Sequence, residues 1–202
     1  GLLCTLKFFG LGLLVPMGIS FYTLTLLGYL FDVYYEIGPV QKNYAKLLLF
    51  GCYFPTMISG PILRYGEMEK QMYESRRFDY KRVTFGMQRM ILGFLKKLVI
   101  SERLALIANE VFNNYQSYSG ISIWVGAVAF TFQLYTDFDG CMDIVLGLSE
   151  CFGIRLPENF SAPFLARSIS EYWRRWHISL GNWLKDYLFC LLYTSDAADD
   201  GE

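Results

Sequence analysis

The chain has 202 residues, of which 53% are hydrophobic and only 18% are charged, and its formal net charge is −1. Soluble domains carry about 25% charged residues, and a balanced net charge gives no electrostatic basis for binding nucleic acid. The composition therefore argues against a nucleic-acid-binding protein and favours a multi-pass helical protein of a lipid bilayer.

Two apolar stretches come first along the chain. Phe8–Phe31 is 24 residues long and Leu47–Leu63 is 17 residues long, and neither contains a charged residue. A helix that spans a bilayer needs about 20 apolar residues, so the first stretch qualifies and the second is at the limit. We expect the first to break near Pro16–Met17–Gly18, the second to break within FPTMISGPIL, and residues 32–46 to form a polar turn between them.

Polar and amphipathic segments follow. Residues 64–82 carry many charges of both signs and are predicted to be a cytoplasmic loop, because Lys and Arg collect on that side of a membrane. Apolar residues recur every three or four positions over 87–98, which predicts an amphipathic helix. Residues 121–136 are a further apolar segment, 144–152 continue the apolar pattern, and the prolines of 155–164 predict a loop.

The single histidine, His177, lies in EYWRRWHISLGNWLKDYLF, residues 171–189. Wound as one helix, this stretch separates into an apolar and a charged face, and His177 falls on the apolar face. An ionisable group inside a membrane bundle is costly and indicates function, and imidazole is suited to taking a proton near neutral pH. A structural histidine and a general base are equally supported at this point. The neighbouring candidates for the site are Trp173, Arg174, Arg175 and Trp176.

Three acids close together, Asp137, Asp139 and Asp143, follow the apolar segment 121–136. One interpretation is a polar hinge around Gly140, with Asp143 starting the next helix. Another is a set of buried carboxylates that line a hydrophilic path or pair with arginines. A structural or orienting role is favoured over direct catalysis, although an ion-coupled transporter would also use such acids. The arginines considered as partners are Arg155, Arg174 and Arg175.

Several other features have two interpretations. The segment FPTMISGPILRYGEM (54–68) is either a proline-broken helix end or a re-entrant segment beside a cavity, with Arg64 and Tyr65 at its mouth. The pair Arg174–Arg175 is typical of a solvated or phospholipid-facing surface, and contact with a phosphate-bearing donor is the alternative. Asn159–Phe160–Ser161 matches a glycosylation sequon, which we discount as a weak signal.

The cysteines form no C-x-x-C pair and no spacing typical of metal ligands. We interpret them as small core residues rather than as disulfides or ligands. The five positions are Cys4, Cys52, Cys141, Cys151 and Cys190.

The last residues of the chain differ in kind from the rest. From Cys190, the run CLLYTSDAAD matches the translation of a common sequencing-library transposon adapter. We therefore interpret 190–202 as an artefact and Phe189 as the last authentic residue. Because the chain also begins at Gly1 without a start methionine, 1–189 is expected to be the central fragment of one membrane-embedded domain.

Four runs occur in a characteristic order: VPMGISFYTLTLLGYLFDVY, FPTMISGPILRYGEMEKQM, FQLYTDFDGCMDIVLGL and GIRLPENFSAPFLARSISEYWRRWHISLGNWLKDYLF. Together they resemble the membrane-bound O-acyltransferase family, particularly its bacterial alginate O-acetyltransferase-like branch. The D-alanyl transfer protein of teichoic-acid modification is a close cousin. The resemblance covers Val15 to Phe189, and its most specific parts are Trp-Arg-Arg-Trp-His-Ile-Ser-Leu and Leu-Pro-Glu-Asn-Phe.

The resemblance implies a helix bundle around a central funnel or tunnel, in which an acyl group passes across the membrane to a hydroxyl. It implies that His177 is one of two histidines associated with the chemistry. The second would lie beyond Phe189, so the chain alone is expected to be inactive. Asp139 stands where the family commonly has serine, and Cys141 where it often has tyrosine, so acceptor specificity does not carry over.

The resulting prediction is an all-α, polytopic O-acyltransferase of the bacterial cell membrane that acetylates hydroxyls of a cell-surface polysaccharide. D-alanyl transfer to teichoic acid is one alternative, and a non-enzymatic transporter or channel is the alternative of another class. We expect no bound cofactor or metal, and an acyl donor that is a thioester of coenzyme A or of an acyl carrier protein. The other expected partners are the lipid bilayer and an extracytoplasmic transferase.

Overall fold

A computed structural model describes residues 18–189 as helices joined by short connections. The only extended pairing within this range is an isolated bridge between Phe160 and Trp176, so the predicted all-α class is confirmed for these residues. None of the helices in this part of the chain combines the length and the apolar character needed to cross a membrane. The part of the first apolar stretch that precedes Gly18 and the adapter-like tail over 190–202 lie outside the described residues.

The chain divides into two compact units. The first unit contains the described residues up to Phe78 and those from Gly153 onward, and the second unit is Asp79–Phe152. The α-helices in chain order are α1 (Ile19–Tyr34), α2 (Tyr44–Gly51), α3 (Phe54–Met57), α4 (Tyr65–Tyr73), α5 (Tyr80–Phe94), α6 (Glu102–Asn113), α7 (Gly120–Cys151), α8 (Ile169–Arg175) and α9 (Ile178–Leu184). Two π-helical segments (Leu95–Ser101, Lys185–Phe189) and two 3₁₀ turns (Tyr115–Ser117, Pro163–Leu165) complete the regular structure.

Aromatic rings from three helices form the core of the first unit. The Tyr65 ring lies edge-on to the rings of Tyr29 and Phe50, with a centroid distance of 5.1 Å in each case. Tyr65 and Met68 of α4 are almost fully buried there. The prediction that 64–82 is a loop was therefore wrong for its first half, because two apolar side chains at helical spacing outweigh the charges around them.

The connections between α1 and α4 follow local sequence signals. The Asn43 side chain caps α2 by accepting the backbone N–H groups of Ala45 and Lys46. Pro55 occupies the first turn of α3, where its missing N–H costs nothing. The predicted break in 47–63 is thus confirmed. The polar turn predicted over 32–46 is shorter than expected, because α1 continues to Tyr34 and α2 begins at Tyr44.

Glycines bring α5 and α7 into close contact in the second unit. A Cβ atom built on Gly86 would lie 2.5 Å from the Gly147 carbonyl oxygen, and one on Gly93 would lie 2.7 Å from the Gly140 carbonyl oxygen. Gly86 faces Gly147 while Gly93 faces Gly140, so the two helices run antiparallel. The helix predicted over 87–98 is confirmed by α5 and its π-helical continuation. Its glycine face packs against α7, while apolar side chains such as Ile91 are exposed.

The polar hinge considered at 137–143 was wrong. Helix α7 runs without interruption from Gly120 to Cys151, and the helical backbone leaves no turn at Gly140 for an aspartate to cap. Instead, the three carboxylates are paired with cations, which removes the cost that would have favoured a solvated turn.

The single helix predicted over 171–189 was also wrong. The helix stops at Arg175, and a new one begins at Ile178. His177 between them has φ 47° and ψ 54°, the left-handed region. Backbone hydrogen bonds from the 159–161 segment to either side of the break hold this conformation, so a tertiary contact overrides the helical periodicity.

The described cysteines, Cys52, Cys141 and Cys151, are free. Cys141 and Cys151 are half-buried, which agrees with their interpretation as packing residues. Cys52, at the end of α2, is exposed, so the prediction was wrong for that residue. Cys4 and Cys190 lie outside the described residues.

Candidate active site around His177

The proline-containing loop before α8 pairs with the backbone around His177. The Ser161 N–H donates to the Arg175 carbonyl at 3.0 Å, and the Ile178 N–H donates to the Asn159 carbonyl at 3.0 Å. These two bonds flank the bridge between Phe160 and Trp176. We call residues 176–177 the histidine link. Within the link Trp176 is extended and His177 is left-handed, so these two residues are not part of a helix.

His177 is half-buried within the first unit. Burial disfavours its charged form and lowers the pKa of the imidazole below its ordinary value of 6.5. The neutral imidazole is therefore the dominant form at pH 7, and a neutral imidazole carries the lone pair that a proton acceptor needs.

One amide side chain meets the histidine link from the loop. Asn159 is completely buried. Its Oδ1 accepts the Ser179 backbone N–H at 2.9 Å and lies 3.4 Å from Nδ1 of His177. The Ser179 hydroxyl in turn accepts the Ile62 backbone N–H at 3.0 Å, which ties the SGPIL segment to the same place.

Trp176 and Arg175 support the histidine link. The Trp176 ring stacks on Tyr172 at 5.7 Å and meets Phe160 edge-on at 5.0 Å. Arg175 pairs with Glu171 at 2.6 Å and donates to the carbonyl of Ser161 at 3.4 Å. These predicted site residues therefore fix the loop and the link in place.

Trp173 and Arg174 face a different surface. They line a cleft of about 810 Å³ together with Asn182 and Lys185, and the Arg174 guanidinium donates to the Ser170 hydroxyl at 3.3 Å. The predicted Arg174–Arg175 surface is thus split: Arg174 lies in an open cationic cleft, while Arg175 is engaged with the loop.

Arg64 belongs to a polar network that anchors the C-terminal π-helical segment. Its guanidinium donates to the Tyr187 hydroxyl at 3.0 Å and pairs with Asp186. The buried Tyr187 hydroxyl donates to Asp32 at 2.5 Å. This network joins α1, the residue before α4 and the segment after α9. Arg64 therefore has a structural role here.

The three aspartates pair with cations of the neighbouring helix inside the second unit. Lys96 lies 2.6 Å from Asp139 and 2.5 Å from Asp143. Asp143 also pairs with Arg89 at 2.9 Å, and Asp137 pairs with Lys97 at 2.5 Å. The expected partners Arg155, Arg174 and Arg175 were wrong, because α5 and its continuation present nearer cations to α7.

Sequence reasoning missed the side chains that contact His177 and anchor the segment after it. Asn159 and Ser179 carry no motif that indicates their contacts, and only a discounted sequon drew attention to Asn159. Asp32 and Tyr187 were assigned to a polar turn and to an apolar helix face. The usable signal was an asparagine between prolines in the loop just upstream of the lone histidine.

Comparison with known proteins places the chain in a family. Residues 39–197 match MBOAT, the membrane-bound O-acyltransferase family. This match covers well over half of the chain, so the chain belongs to the membrane-bound O-acyltransferase family, and the resemblance seen in the sequence is confirmed.

Individual relatives come from several bacteria. The chain is 40% identical over 179 residues to the "Probable alginate O-acetylase AlgI" of Pseudomonas syringae, a match that covers 89% of this chain and 34% of the relative. It is 34% identical to a peptidoglycan O-acetyltransferase of Helicobacter pylori (89% of this chain, 39% of the relative). It is 30% identical to a teichoic acid D-alanyltransferase of Bacillus subtilis (86% and 44%). The chain therefore spans about a third of the length of the alginate O-acetylase.

Proposed function

We propose that this chain is a segment of an integral-membrane O-acyltransferase that transfers acetyl groups to hydroxyls of a cell-surface polysaccharide. The observation that carries the proposal is His177: the single histidine of a member of this family is half-buried, and its lowered pKa keeps it neutral at pH 7. The rigid histidine link holds the imidazole in one place, as proton transfer to a fixed group requires.

In the proposed reaction, the acceptor hydroxyl oxygen bonds to the carbonyl carbon of an acyl thioester. The carbon–sulfur bond breaks, and the thiol leaves with a proton equivalent to the one lost by the hydroxyl. His177 accepts or orients the hydroxyl proton. It is proposed to work with a second histidine that would follow Phe189 in the longer protein and would be the principal base. The donor is proposed to be a thioester of coenzyme A or of an acyl carrier protein.

The surface of the second unit supports a membrane setting. Ile91 of α5 is 65% exposed and Trp124 of α7 is 74% exposed, while glycines and ion pairs lie between the two helices. Small residues and polar contacts between helices with apolar side chains outside are typical of helices packed in lipid. We therefore propose a multi-pass protein of the bacterial cell membrane.

The acceptor is proposed to be a polysaccharide because relatives are named for alginate and for peptidoglycan. D-alanyl transfer to teichoic acid is the second candidate, supported by the relative named for it. An extracytoplasmic transferase is proposed as a partner that completes delivery to the polymer. The transporter alternative has less support, because Asp137, Asp139 and Asp143 are each neutralised by a cation.

A segment exchange tests the proposal in cells. Residues 39–189 replace the matching part of the alginate O-acetylase of Pseudomonas aeruginosa, which is 41% identical to this chain, and acetyl esters on secreted alginate are measured. The exchanged protein is expected to restore esters, and His177→Asn is expected to abolish them at an equal protein level. Asparagine tolerates the left-handed backbone of position 177, so the variant tests the imidazole and not the fold.

Asp137→Asn is the matched control for the transporter alternative. The Asp137 side chain is 44% exposed and has one cationic partner, so its loss is expected to leave most of the esters in place. Loss of esters in Asp137→Asn with retention in His177→Asn would contradict the acyltransferase proposal.

A further inference from the structure

The buried Asn159 side chain is the polar group that the structure places against the candidate proton acceptor. Asn159 lies 18 residues before His177 in the chain, in the loop that precedes α8, and its exposed fraction is 0%. Its backbone carbonyl accepts the Ile178 N–H, and its side-chain oxygen accepts the Ser179 N–H. Both bonds hold residues that directly follow the histidine. Asn159 therefore fixes the backbone position from which the His177 side chain extends.

The Ser179 bond also determines which end of the Asn159 amide faces the histidine. A backbone N–H can only donate, so the atom that meets it is the amide oxygen and not the amide nitrogen. The same oxygen lies 3.4 Å from Nδ1 of His177. An oxygen acceptor is satisfied by a ring nitrogen that carries a proton, and a neutral imidazole carries only one. A proton on Nδ1 satisfies this contact and leaves the lone pair on Nε2, whereas a proton on Nε2 would set two acceptors against each other.

We propose that Asn159 is a positioning residue that holds His177 in the Nδ1–H tautomer and so presents Nε2 as the nitrogen that accepts the hydroxyl proton. This inference rests on the proposed function for the role of Nε2, whereas the tautomer itself follows from the contacts of Asn159.

A neutral amide suits this task better than a carboxylate. A carboxylate at the same place would also favour a proton on Nδ1, but its charge would stabilise the imidazolium and raise the pKa of His177. An amide orients the ring without adding that charge. Burial then keeps the imidazole neutral. The result is an oriented histidine whose imidazole is neutral at pH 7.

Because the chain contains one histidine, the tautomer can be read from a single imidazole. The full chain is labelled with ¹⁵N-histidine in detergent micelles, and correlations between the ring nitrogens and ring protons identify the protonated nitrogen. At pH 8 the wild-type chain is expected to show the proton on Nδ1. Asn159→Ala is expected to move a large part of the population to the Nε2–H form.

Asn159→Asp is the conservative variant, because it retains an oxygen acceptor of nearly the same shape. It is expected to keep the Nδ1–H tautomer and to raise the pKa of His177 by about one unit or more, the usual effect of an opposite charge within about 4–6 Å. A wild-type proton on Nε2, or an unchanged tautomer in a folded Asn159→Ala, would overturn the inference.

The segment exchange separates this inference from the function on which it rests. Asn159→Ala is expected to lower ester formation about tenfold or more, the order lost when the group that orients a functional histidine is removed, and Asn159→Asp is expected to restore part of it. A wild-type Nδ1–H tautomer combined with esters that survive His177→Asn would leave the orientation correct and the acyltransferase role wrong. An Nε2–H tautomer combined with esters that depend on His177 would leave the acyltransferase role correct and the orientation wrong.

Discussion

His177 has two energetically unfavourable features. Its backbone is in the left-handed region, which costs a non-glycine residue about 1 kcal/mol or more, and its imidazole is partly removed from water. The bridge at Phe160–Trp176 and the two bonds from Asn159 offset these costs by fixing the link on both sides. Strained backbone held by surrounding contacts occurs preferentially at functional sites.

The lowered pKa of His177 predicts a pH dependence of stability. The pKa in the folded state lies below the unfolded value of about 6.5, so the unfolded chain binds more protons between these two values. The stabilisation by the buried neutral imidazole is complete above about pH 6.5 and is lost as the pH falls through the lowered pKa. We expect the denaturant midpoint of the micelle-bound chain to decrease when the pH is lowered from 7 to 5.5. The decrease is expected to be larger than in His177→Asn. Parallel curves for the two proteins would contradict the burial of this residue.

The candidate site residue His177 was identifiable from the sequence, but its contact with Asn159 was not. A lone histidine on an apolar segment stands out by chemistry alone. Its contact with Asn159 requires the loop at 154–162 to fold back on the link between two helices, and no helical periodicity reports such a pairing. The same limit applies to Tyr187 and Asp32, which lie 155 positions apart in the chain.

At the scale of elements, α5 and α7 contact one another through backbone rather than through interlocking side chains. Gly86 faces Gly147 and Gly93 faces Gly140 at distances that leave no space for a Cβ atom. Close approach of this kind lets Lys96 and Arg89 reach the carboxylates of α7. The glycine contacts and the ion pairs are therefore parts of one interface.

Gly147→Ala is expected to destabilise the second unit by about 1–3 kcal/mol, the usual cost of forcing an extra carbon into a packed interface. A Cβ there would lie 2.5 Å from the Gly86 carbonyl oxygen, and backbone cannot rotate aside as a side chain can. Gly120→Ala is the matched control in the same helix, because a Cβ at Gly120 meets nothing within 4 Å. Denaturant unfolding in micelles measures both variants, and equal stabilities would show that the helices are not in close contact.

The helical elements themselves were partly predictable. The break at Pro55 was predicted, because proline acts on adjacent backbone. The starts of α2 and α5 were not predicted, although Asn43 and Asp79 cap them. Two predictions about helix continuity were wrong: one helix was expected to be broken and is continuous, and the other was expected to be continuous and is broken. The acids of 137–143 suggested a hinge, but cations on α5 and its continuation allow α7 to pass through. The periodicity of 171–189 suggested one helix, but contacts from the loop break it at the histidine link.

At the scale of the whole molecule, both compact units contain residues of the family match. The family match covers residues 39–197, and so includes the histidine link and the paired helices of the second unit. The chain corresponds to 34% of the alginate O-acetylase from Pseudomonas syringae. The composition and the four ordered motifs were enough to predict the family.

Transfer of labelled acetyl groups in open membrane fragments tests the central claim most directly. Fragments that carry the exchanged segment receive coenzyme A thioester labelled in its acetyl group, with the unmodified Pseudomonas aeruginosa protein run in parallel. Alkali-labile label on polysaccharide is then counted. Open fragments hold no ion gradient, so a transporter produces no label. The account predicts label for the exchanged protein and background label for its His177→Asn variant at an equal protein level. Equal label with and without His177 would contradict it.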